Sequence, residues 1–407
     1  MAVAGIIAEY HPFHRGHAWQ IASLRERLGD ETAVVVAMSG NFVQRGDFAV
    51  FGKHARAEMA LHGGADLVLE IPMPWSSATA ERFAQGGVAI LAATGVVSHL
   101  AFGCESGDAA PLMAAAEGLN DPRYPDMLKE RLAGGMTFAA ARQSALAELI
   151  GPAAETLAKP NNALAVEYLR ALSVCAPSIV PLALPRIGAD HDSSELGLYP
   201  SASAIRGVLL SGGDWTSLVS EETAAIMCRE IEAGRAPVTM ANCERAILAK
   251  LRSMTEEDFR PYDGGGEGLY RRFYDAVHSA ASVEAILETA KTKRYPLARL
   301  RRMLLHSYLG VPEAAQGETP PYLRVLGANE RGRDVLRRMK KCAALPVITK
   351  PGDVRKMDIS VRDCFLREAA CTDIYTLAMP DLSQAIPDLE FAKGAVMVGI
   401  ECERRTQ

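Results

Sequence analysis

Two histidines with a glycine between them, His14, Gly16 and His17, follow an apolar run near the start of the chain. The run Val3–Ala8 has the composition of a buried strand, and an amphipathic helical pattern follows the histidines. This order delivers two imidazoles to a helix N-terminus, where main-chain N–H groups and the helix dipole attract phosphate. Imidazole donors stabilise charge that develops on phosphoryl oxygens, and Gly16 lacks the Cβ that would hold a ligand away. The pattern predicts a phosphate site rather than two loop histidines near a cap.

A second phosphate-binding pattern lies at residues 199–206, where serines open another helical segment. The hydroxyls of Ser201 and Ser203, the first N–H groups of the helix and the guanidinium of Arg206 together make a phosphate cradle. In isolation, a serine N-cap with a solvated arginine would look the same. The pairing with His-x-Gly-His favours the cradle.

Apolar runs that alternate with helical patterns predict the frame that carries these groups. Residues 3–8, 33–38, 65–71, 98–102 and 178–184 have the composition of buried strands. Strand–helix–strand units of this length have parallel strands and right-handed crossovers, so the predicted fold class is α/β with a Rossmann-like parallel sheet. Ligands in such sheets bind beyond the carboxyl ends of the strands.

Three further candidates follow along the chain, and two of them, Gly103 and Arg186, lie at the carboxyl ends of predicted strands. Gly103 ends the fourth strand and would let a nucleotide approach the main chain, whereas a plain turn glycine is the ordinary explanation. Asn161 follows Pro160, where a helix cap is the ordinary role and a substrate contact the more specific one. Arg186 follows the fifth strand.

A change of pattern near residue 212 predicts a domain boundary. Residues 1–212 carry the strands, and residues 213–407 carry mainly helical patterns. Residues 291–302 concentrate Lys and Arg around Tyr295, and residues 331–341 form a second basic helical pattern. In an acidic chain these clusters indicate contacts with an RNA backbone, with Tyr295 available to stack on a base. Solvated basic helix faces are an equally good explanation.

Composition limits the classes of protein to consider. The 407 residues carry a net charge of −5, so any RNA site must be a local patch. The eight cysteines have no C-x-x-C spacing, which argues against structural zinc and a disulfide framework and predicts reduced thiols. No protein-bound metal site is predicted. The N-terminus lacks a basic region before its short apolar run, so we expect a cytoplasmic protein without a membrane span.

The pairing of His-x-Gly-His with Ser-Ala-Ser-Ala-Ile-Arg resembles the two motifs of the HIGH-type nucleotidyltransferase superfamily. The resemblance extends to one family, the bacterial tRNA(Met) cytidine acetate ligases. Segments similar to that family occur in its order along most of the chain, at residues 5–17, 38–46, 64–72, 102–105, 159–162, 292–295 and 321–327.

The resemblance implies an ATP-dependent ligase that forms acetyl-adenylate and pyrophosphate from acetate, with Mg²⁺ accompanying ATP. It implies transfer of the acetyl group to N4 of the wobble cytidine of elongator tRNA(Met). The implied catalytic residues are His14, His17 and Arg206, which would stabilise charge on the phosphates. The implied ATP contacts are Ile7, Ala8, Glu9, Tyr10, His11, Pro12, Phe13, His14, Arg15, Gly16, His17, Ala18, Trp19, Gln20, Gly103, Asn161, Arg186, Ile187, Ser201 and Ser203.

The chain departs from the family pattern at His11 and Arg15, where the family commonly has Asn, and at Ala202 and Ser203, where the superfamily has Ser-Thr. A nucleotidyltransferase acting on a small phosphorylated or carboxylated metabolite would share the N-terminal motifs and is the alternative function. An RNA-binding protein that has lost catalysis is a third hypothesis, against which the retained histidines argue. The sequence leaves the acyl-acid specificity and the oligomeric state open.

Overall fold

The computed structural model describes residues 2–105, 107–185, 199–262 and 268–399. Its strands, in chain order, are β1 (Val3–Ala8), β2 (Ala33–Ser39), β3 (Phe42–Val43), β4 (Asp47–Phe48), β5 (Leu67–Ile71), β6 (His99–Cys104), β7 (Val180–Pro185), β8 (Leu323–Ala328), β9 (Val347–Ile348) and β10 (Val396–Met397). Every residue of β2 and β5 is buried, as expected for parallel strands covered on both faces. The predicted α/β sheet is therefore present.

Helices cover both faces of this sheet and build the second half of the chain. In chain order they are α1 (Arg15–Leu28), α2 (Lys53–His62), α3 (Ala80–Ala93), α4 (Ala110–Leu119), α5 (Tyr124–Ala133), α6 (Phe138–Ile150), α7 (Pro160–Cys175), α8 (Ala202–Leu210), α9 (Glu221–Glu232), α10 (Glu244–Arg252), α11 (Leu269–Ser279), α12 (Val283–Ala290), α13 (Leu297–Leu309), α14 (Glu330–Cys342), α15 (Ile359–Thr376) and α16 (Leu389–Ala392). None of the helices in the described ranges is long and apolar enough to cross a bilayer.

The main sheet has the strand order β10-β8-β5-β2-β1-β6-β7, with β9 paired to β8. The five neighbouring strands β5, β2, β1, β6 and β7 are parallel to one another, and β8 runs antiparallel to β5. Strand β8 comes from residues 323–328, well beyond the predicted boundary near residue 212. The boundary stays a prediction, but the sheet itself takes strands from both sides of it.

A buried group of charged side chains joins the two halves of the chain. Lys53 Nζ lies 2.6 Å from Glu70 Oε1, 3.2 Å from Glu368 Oε1 and 2.6 Å from Glu390 Oε2. Arg324 Nε contacts Glu390 Oε1 at 3.3 Å. All five side chains are at most 1% exposed, so each charge depends on its partners for stabilisation. The contacts tie α2 and β5 to β8, α15 and α16.

Candidate nucleotide-binding site

The strand order reverses between β1 and β6. From β1 the chain moves to β2 and β5 on one side, and it later returns to the other side of β1 as β6 and β7. A doubly wound sheet binds ligands in the crevice outside the carboxyl ends of the strands at such a reversal. The His-x-Gly-His segment follows β1 directly, and Gly103 lies near the end of β6, so the two flank this crevice.

The two histidines form the N-terminus of α1. His14 is the N-cap, and its Nδ1 accepts the Gly16 N–H at 3.0 Å. Nδ1 of His17 accepts the His14 N–H at 3.2 Å, and the ring centroids lie 3.8 Å apart. Since each Nδ1 is an acceptor, the proton of each neutral imidazole lies on Nε2. Two Nε2–H donors are therefore held side by side at a helix N-terminus.

Gly16 also has a role inside the protein, beside the predicted access for a ligand. A Cβ at this position would lie 2.9 Å from Cε1 and 3.1 Å from Nδ1 of His14, which is too close for a carbon atom. The glycine thus makes room for the imidazole that caps the helix, and through it controls the ring's orientation. Arg15 beside it is exposed.

Arg206 joins the second motif to the first. Its Nη1 donates to the carbonyl oxygen of His11 at 2.7 Å, and its Nη2 donates to Ser203 Oγ at 2.9 Å. Ser201 is the N-cap of α8, and its hydroxyl accepts the Ala204 N–H at 3.0 Å. The second motif therefore has the ordinary capping role, and its arginine also bonds to the loop after β1.

His11, one of the departures from the family pattern, is buried and electrically neutral. Burial lowers the pKa of its imidazole well below the usual range, and the nearby charges of Arg206 and Arg56 lower it further. Its Nδ1 accepts the Val50 N–H at 3.3 Å. The histidine therefore supplies an acceptor to the neighbouring main chain without adding positive charge to the site.

The asparagines of the Lys-Pro-Asn-Asn segment do not cap α7 as the ordinary explanation held. The helix begins at Pro160, and its N-cap, Lys159, has no side-chain capping bond. Asn161 Nδ2 instead donates to Glu105 Oε1 at 3.0 Å, and Asn162 Oδ1 accepts the Glu105 N–H at 3.1 Å. Both side chains reach the end of β6.

The space beside Gly103 is open, because a Cβ there would meet no atom within 4 Å. Of the other predicted nucleotide contacts, the side chains of Ile7, Tyr10 and Phe13 belong to the hydrophobic core. These residues can offer only main-chain groups to a nucleotide. Tyr10 has a φ of 47°, a strained conformation of the kind found where a loop is shaped for function.

The remaining predicted contacts are distributed as follows. Ala8, Glu9, Gly16, His17, Ala18, Trp19 and Gln20 are half-buried, whereas Pro12 is buried. Arg186 and Ile187 lie outside the described residues.

Known proteins share both the motifs and the fold. The family model HIGH Nucleotidyl Transferase matches residues 1–387. A protein of Syntrophomonas wolfei named tRNA(Met) cytidine acetate ligase is 38% identical over 399 residues, which are 94% of this chain and 96% of that protein. The protein of the same name from Caldanaerobacter subterraneus is 38% identical over 400 residues, 96% of this chain and 98% of that protein. The chain belongs to the tRNA(Met) cytidine acetate ligase family.

Solved structures of this family have the same fold. Thermotoga maritima TmcAL in its apo form matches with a TM-score of 0.92 at 32% identity, over 98% of this chain and 99% of that one. The same protein bound with alpha-thio ATP matches with a TM-score of 0.90 at 33% identity, over the same shares. The predicted fold class and the resemblance stated from the motifs are both confirmed.

Two features that support the ligase-family site were missed by sequence reasoning. Glu9 Oε1 accepts the Gln44 N–H at 2.7 Å, which fastens the loop after β2 beside the end of β1. Arg56 is fully buried and donates to the carbonyl oxygens of Glu9, Phe51 and Gly40. An arginine in an ordinary helical pattern carries no sign that its guanidinium bonds to the main chain of three loop residues.

The two basic segments predicted to bind RNA lie at opposite ends of the strands. Gly46, in the loop after β2, packs on the main chain of Arg301 and Arg302, so the first segment adjoins the carboxyl ends. In the second segment, Arg331 Nη1 donates to the Asp30 carbonyl at 3.3 Å, just before β2, so α14 lies at the amino ends. Only the first segment is near the crevice.

Tyr295 is not available to stack on a base. It is 8% exposed and belongs to the apolar core of the helical region, with the Arg299 guanidinium carbon 5.3 Å from its ring centroid. The expectation of an exposed aromatic was wrong because the ring packs inward. Lys291, Lys293 and Arg294 are exposed.

Within the described ranges, no group of three or more His, Cys, Asp or Glu side chains is arranged to hold a metal ion. The guanidinium of Arg206 repels a divalent cation, and the imidazoles are poor ligands for Mg²⁺, which prefers oxygen. They suit an anion.

Proposed function

We propose that this protein activates acetate with ATP as acetyl-adenylate and transfers the acetyl group to N4 of the wobble cytidine of elongator tRNA(Met). The observation that carries the proposal is the position of His14 and His17 at the strand-order reversal, with Arg206 bonded to His11 in the same loop. It is supported by the near full-length similarity to proteins named for this reaction and to a TmcAL structure with an ATP analogue. A cytoplasmic location fits such a substrate.

In the first step, an acetate oxygen attacks the α-phosphorus of ATP in line, and pyrophosphate leaves. The Nε2–H groups of His14 and His17 donate to phosphoryl oxygens, where negative charge increases in the transition state. The N-terminal dipole of α1 acts in the same direction. Arg206, held by His11 and Ser203, binds the β- and γ-phosphates. Catalysis is then positioning and charge stabilisation, with little acid–base work.

The rest of the nucleotide lies along the crevice. Main-chain groups of residues 7–13 and the open space beside Gly103 accommodate the ribose and base, with Asn161 near the end of β6. Arg186, Ile187, Ser201 and the half-buried residues up to Gln20 complete the proposed contacts. Mg²⁺ bound to ATP would neutralise part of the phosphate charge, and phosphate and water oxygens would be its ligands, since the crevice offers imidazole and guanidinium groups.

In the second step, the cytidine amine attacks the acetyl carbon and AMP leaves. The exposed Lys291, Lys293 and Arg294 provide the surface for the tRNA backbone, because the segment that carries them contacts the loop after β2 through Arg301 and Arg302.

The deciding experiment incubates the protein with ATP, Mg²⁺, radiolabelled acetate and bulk bacterial tRNA and analyses the nucleosides. We expect label in N4-acetylcytidine and its loss in His17→Ala. Acetate-dependent ATP–pyrophosphate exchange is measured in parallel. ATP cleavage without labelled tRNA would overturn the proposed acceptor and favour a metabolite nucleotidyltransferase. Exchange with another small acid, and none with acetate, would overturn the proposed substrate.

A further inference from the structure

A cavity of about 340 Å³ lies between the sheet region and the helical region, beside the nucleotide crevice. His11, Asp47 and Arg206 line it from the first half of the chain, and Glu288 and Arg301 line it from the second half. Its volume is within the range of about 300–1,000 Å³ that small-molecule sites occupy. Neither the His-x-Gly-His motif nor the Ser-Ala-Ser-Ala-Ile-Arg motif predicted this cavity.

One wall of the cavity belongs to the proposed ATP site. Arg206 Nη1 bonds to the His11 carbonyl at 2.7 Å, three residues before the N-cap histidine. The loop that carries Asp47 is bonded through the Gln44 N–H to Glu9 Oε1, 2.7 Å away. The cavity thus opens next to the residues that follow β1.

The opposite wall belongs to the basic segment. Leu297 and Arg301 both lie within residues 291–302 and both line the cavity. An RNA backbone held by the exposed cations of that segment would therefore pass the mouth of the cavity. A base turned out of the RNA stack could enter it, as bases do in enzymes that modify them.

Arg206 belongs both to the proposed ATP site and to the cavity wall, but the other charges of the cavity disfavour phosphate in its interior. Three carboxylates, those of Asp47, Glu284 and Glu288, line it against the guanidinium groups of Arg206 and Arg301. A pyrophosphate or triphosphate would face more carboxylates than guanidinium groups. A neutral base that both donates and accepts hydrogen bonds is complementary to this mixture, and the apolar Val50, Leu210, Met240 and Leu287 offer surfaces for its faces.

We propose that this cavity receives the wobble cytosine. The Asp47 carboxylate accepts a hydrogen bond from the N4 amine and then accepts its proton. The inference rests on the proposed function and assigns a place to its second substrate. Asp47 Oδ1 accepts the Phe48 N–H at 2.8 Å, which orients the carboxylate. Within the described residues it has no other hydrogen-bond donor.

The transfer step balances with Asp47 as the base. The N4 lone pair attacks the carbonyl carbon of acetyl-adenylate and forms the N–C bond. The C–O bond to the phosphate breaks, and AMP leaves with its electron pair. The proton from N4 passes to the Asp47 carboxylate and then to water. Burial raises the pKa of this carboxyl, while the Phe48 N–H and the charges of Arg301 and Arg206 oppose the rise. A raised pKa makes the carboxylate a better proton acceptor.

The test separates the two half-reactions in the full-length protein. Asp47→Asn keeps the size of the side chain and removes its basicity, and Asp126→Asn on the exposed face of α5 is the matched control. We expect acetate-dependent ATP–pyrophosphate exchange in Asp47→Asn to stay within about two-fold of wild type. We expect the rate of single-turnover acetyl transfer to tRNA to fall about 10²–10⁴-fold. The pH–rate profile of this step should lose the inflection that titration of a carboxyl group produces.

A second variant tests the cavity itself. Met240→Trp, at a half-buried position of the wall, narrows the cavity without replacing a residue of the proposed ATP site, so KM for tRNA should rise while exchange is retained. Wild-type transfer in both variants would overturn the inference. So would equal loss of exchange and transfer in Asp47→Asn, which would assign the aspartate to pyrophosphate or activation. Absence of acetate-dependent exchange in the wild type would instead refute the proposed function.

Discussion

Arg206 and His11, 195 positions apart in sequence, are joined by a hydrogen bond of 2.7 Å from the guanidinium to the main-chain carbonyl. The bond draws the start of α8 onto the loop that follows β1. Ser203 holds the guanidinium from the other side, so Arg206 is fixed against the loop that leads from β1 to the two histidines. A planar fork with fixed donors can make both contacts and still present a donor edge to phosphate.

Replacing Arg206 by Lys should therefore impair ATP activation although the charge is kept. The ammonium cannot reproduce the fork that reaches both His11 and Ser203. We expect kcat/KM for ATP in the exchange reaction to fall about 10²-fold or more. Exposed Arg123→Lys is the matched control. A variant with wild-type exchange would show that the arginine does not act on the phosphates.

His14→Asn separates the helix-capping role of this residue from its role as a donor. Asparagine is a favoured N-cap, so α1 should keep its N-terminus, but the Nε2–H donor is lost. We expect the melting temperature to change little and exchange to fall about 10²–10³-fold. If activity fell only together with thermal stability, the imidazole would be a cap and nothing more.

Lys53→Met tests the buried charges that join the two halves. The substitution keeps the length of the side chain and leaves Glu70, Glu368 and Glu390 without their shared cation. Removing one partner of a buried ionic group costs about 3–5 kcal/mol of unfolding free energy. Urea unfolding measures this, with the exposed Lys250→Met as control. Equal stability of the two variants would contradict the prediction.

Stability should fall as the pH drops below about 6.5, the usual histidine pKa. Burial lowers the pKa of His54 to about 3 and that of His306 to about 4. Between these values and 6.5 the unfolded chain binds protons that the folded chain does not. The stabilisation is thus complete above pH 6.5 and is lost on acidification.

The expected loss is at most about 1.4 kcal/mol per pH unit for each such histidine. Urea unfolding between pH 7.5 and 5 measures the slope, and His306→Gln should reduce it. His306 Nε2 lies 2.8 Å from Ser77 Oγ, a contact that glutamine can replace without titrating. An unchanged slope would exclude His306 as a source.

The two basic segments should differ in their effect on tRNA. Charge reversal at the exposed Lys293 and Arg294 should raise KM for tRNA and flatten its salt dependence, because phosphate contacts are lost. Exchange without tRNA should stay unchanged. Reversal at Arg337 and Lys341, exposed on α14 at the amino ends of the strands, is the matched control. A similar rise in KM for tRNA in both charge-reversed pairs would show that the tRNA does not bind preferentially at the first basic segment.

The sequence by itself determined the local parts of the site. His14, Gly16 and His17 follow a strand and begin a helix, and both features arise from residues close in the chain, through apolar periodicity and capping. The parallel sheet was predictable for the same reason, since each strand is a short apolar run. Even so, the sequence could not show that Gly16 is needed by the His14 ring itself.

Only the tertiary structure decided which distant residues meet. The antiparallel strand β8, the contacts of Lys53 and the cavity between Asp47 and Arg301 all join segments far apart in the chain. Periodicity records that a side chain is buried but not which side chain it faces. Tyr295 shows this limit. Its basic, polar neighbours in sequence predicted an exposed ring, but the ring packs in the apolar core of the helical region. Sheet order and helix packing determine those partners.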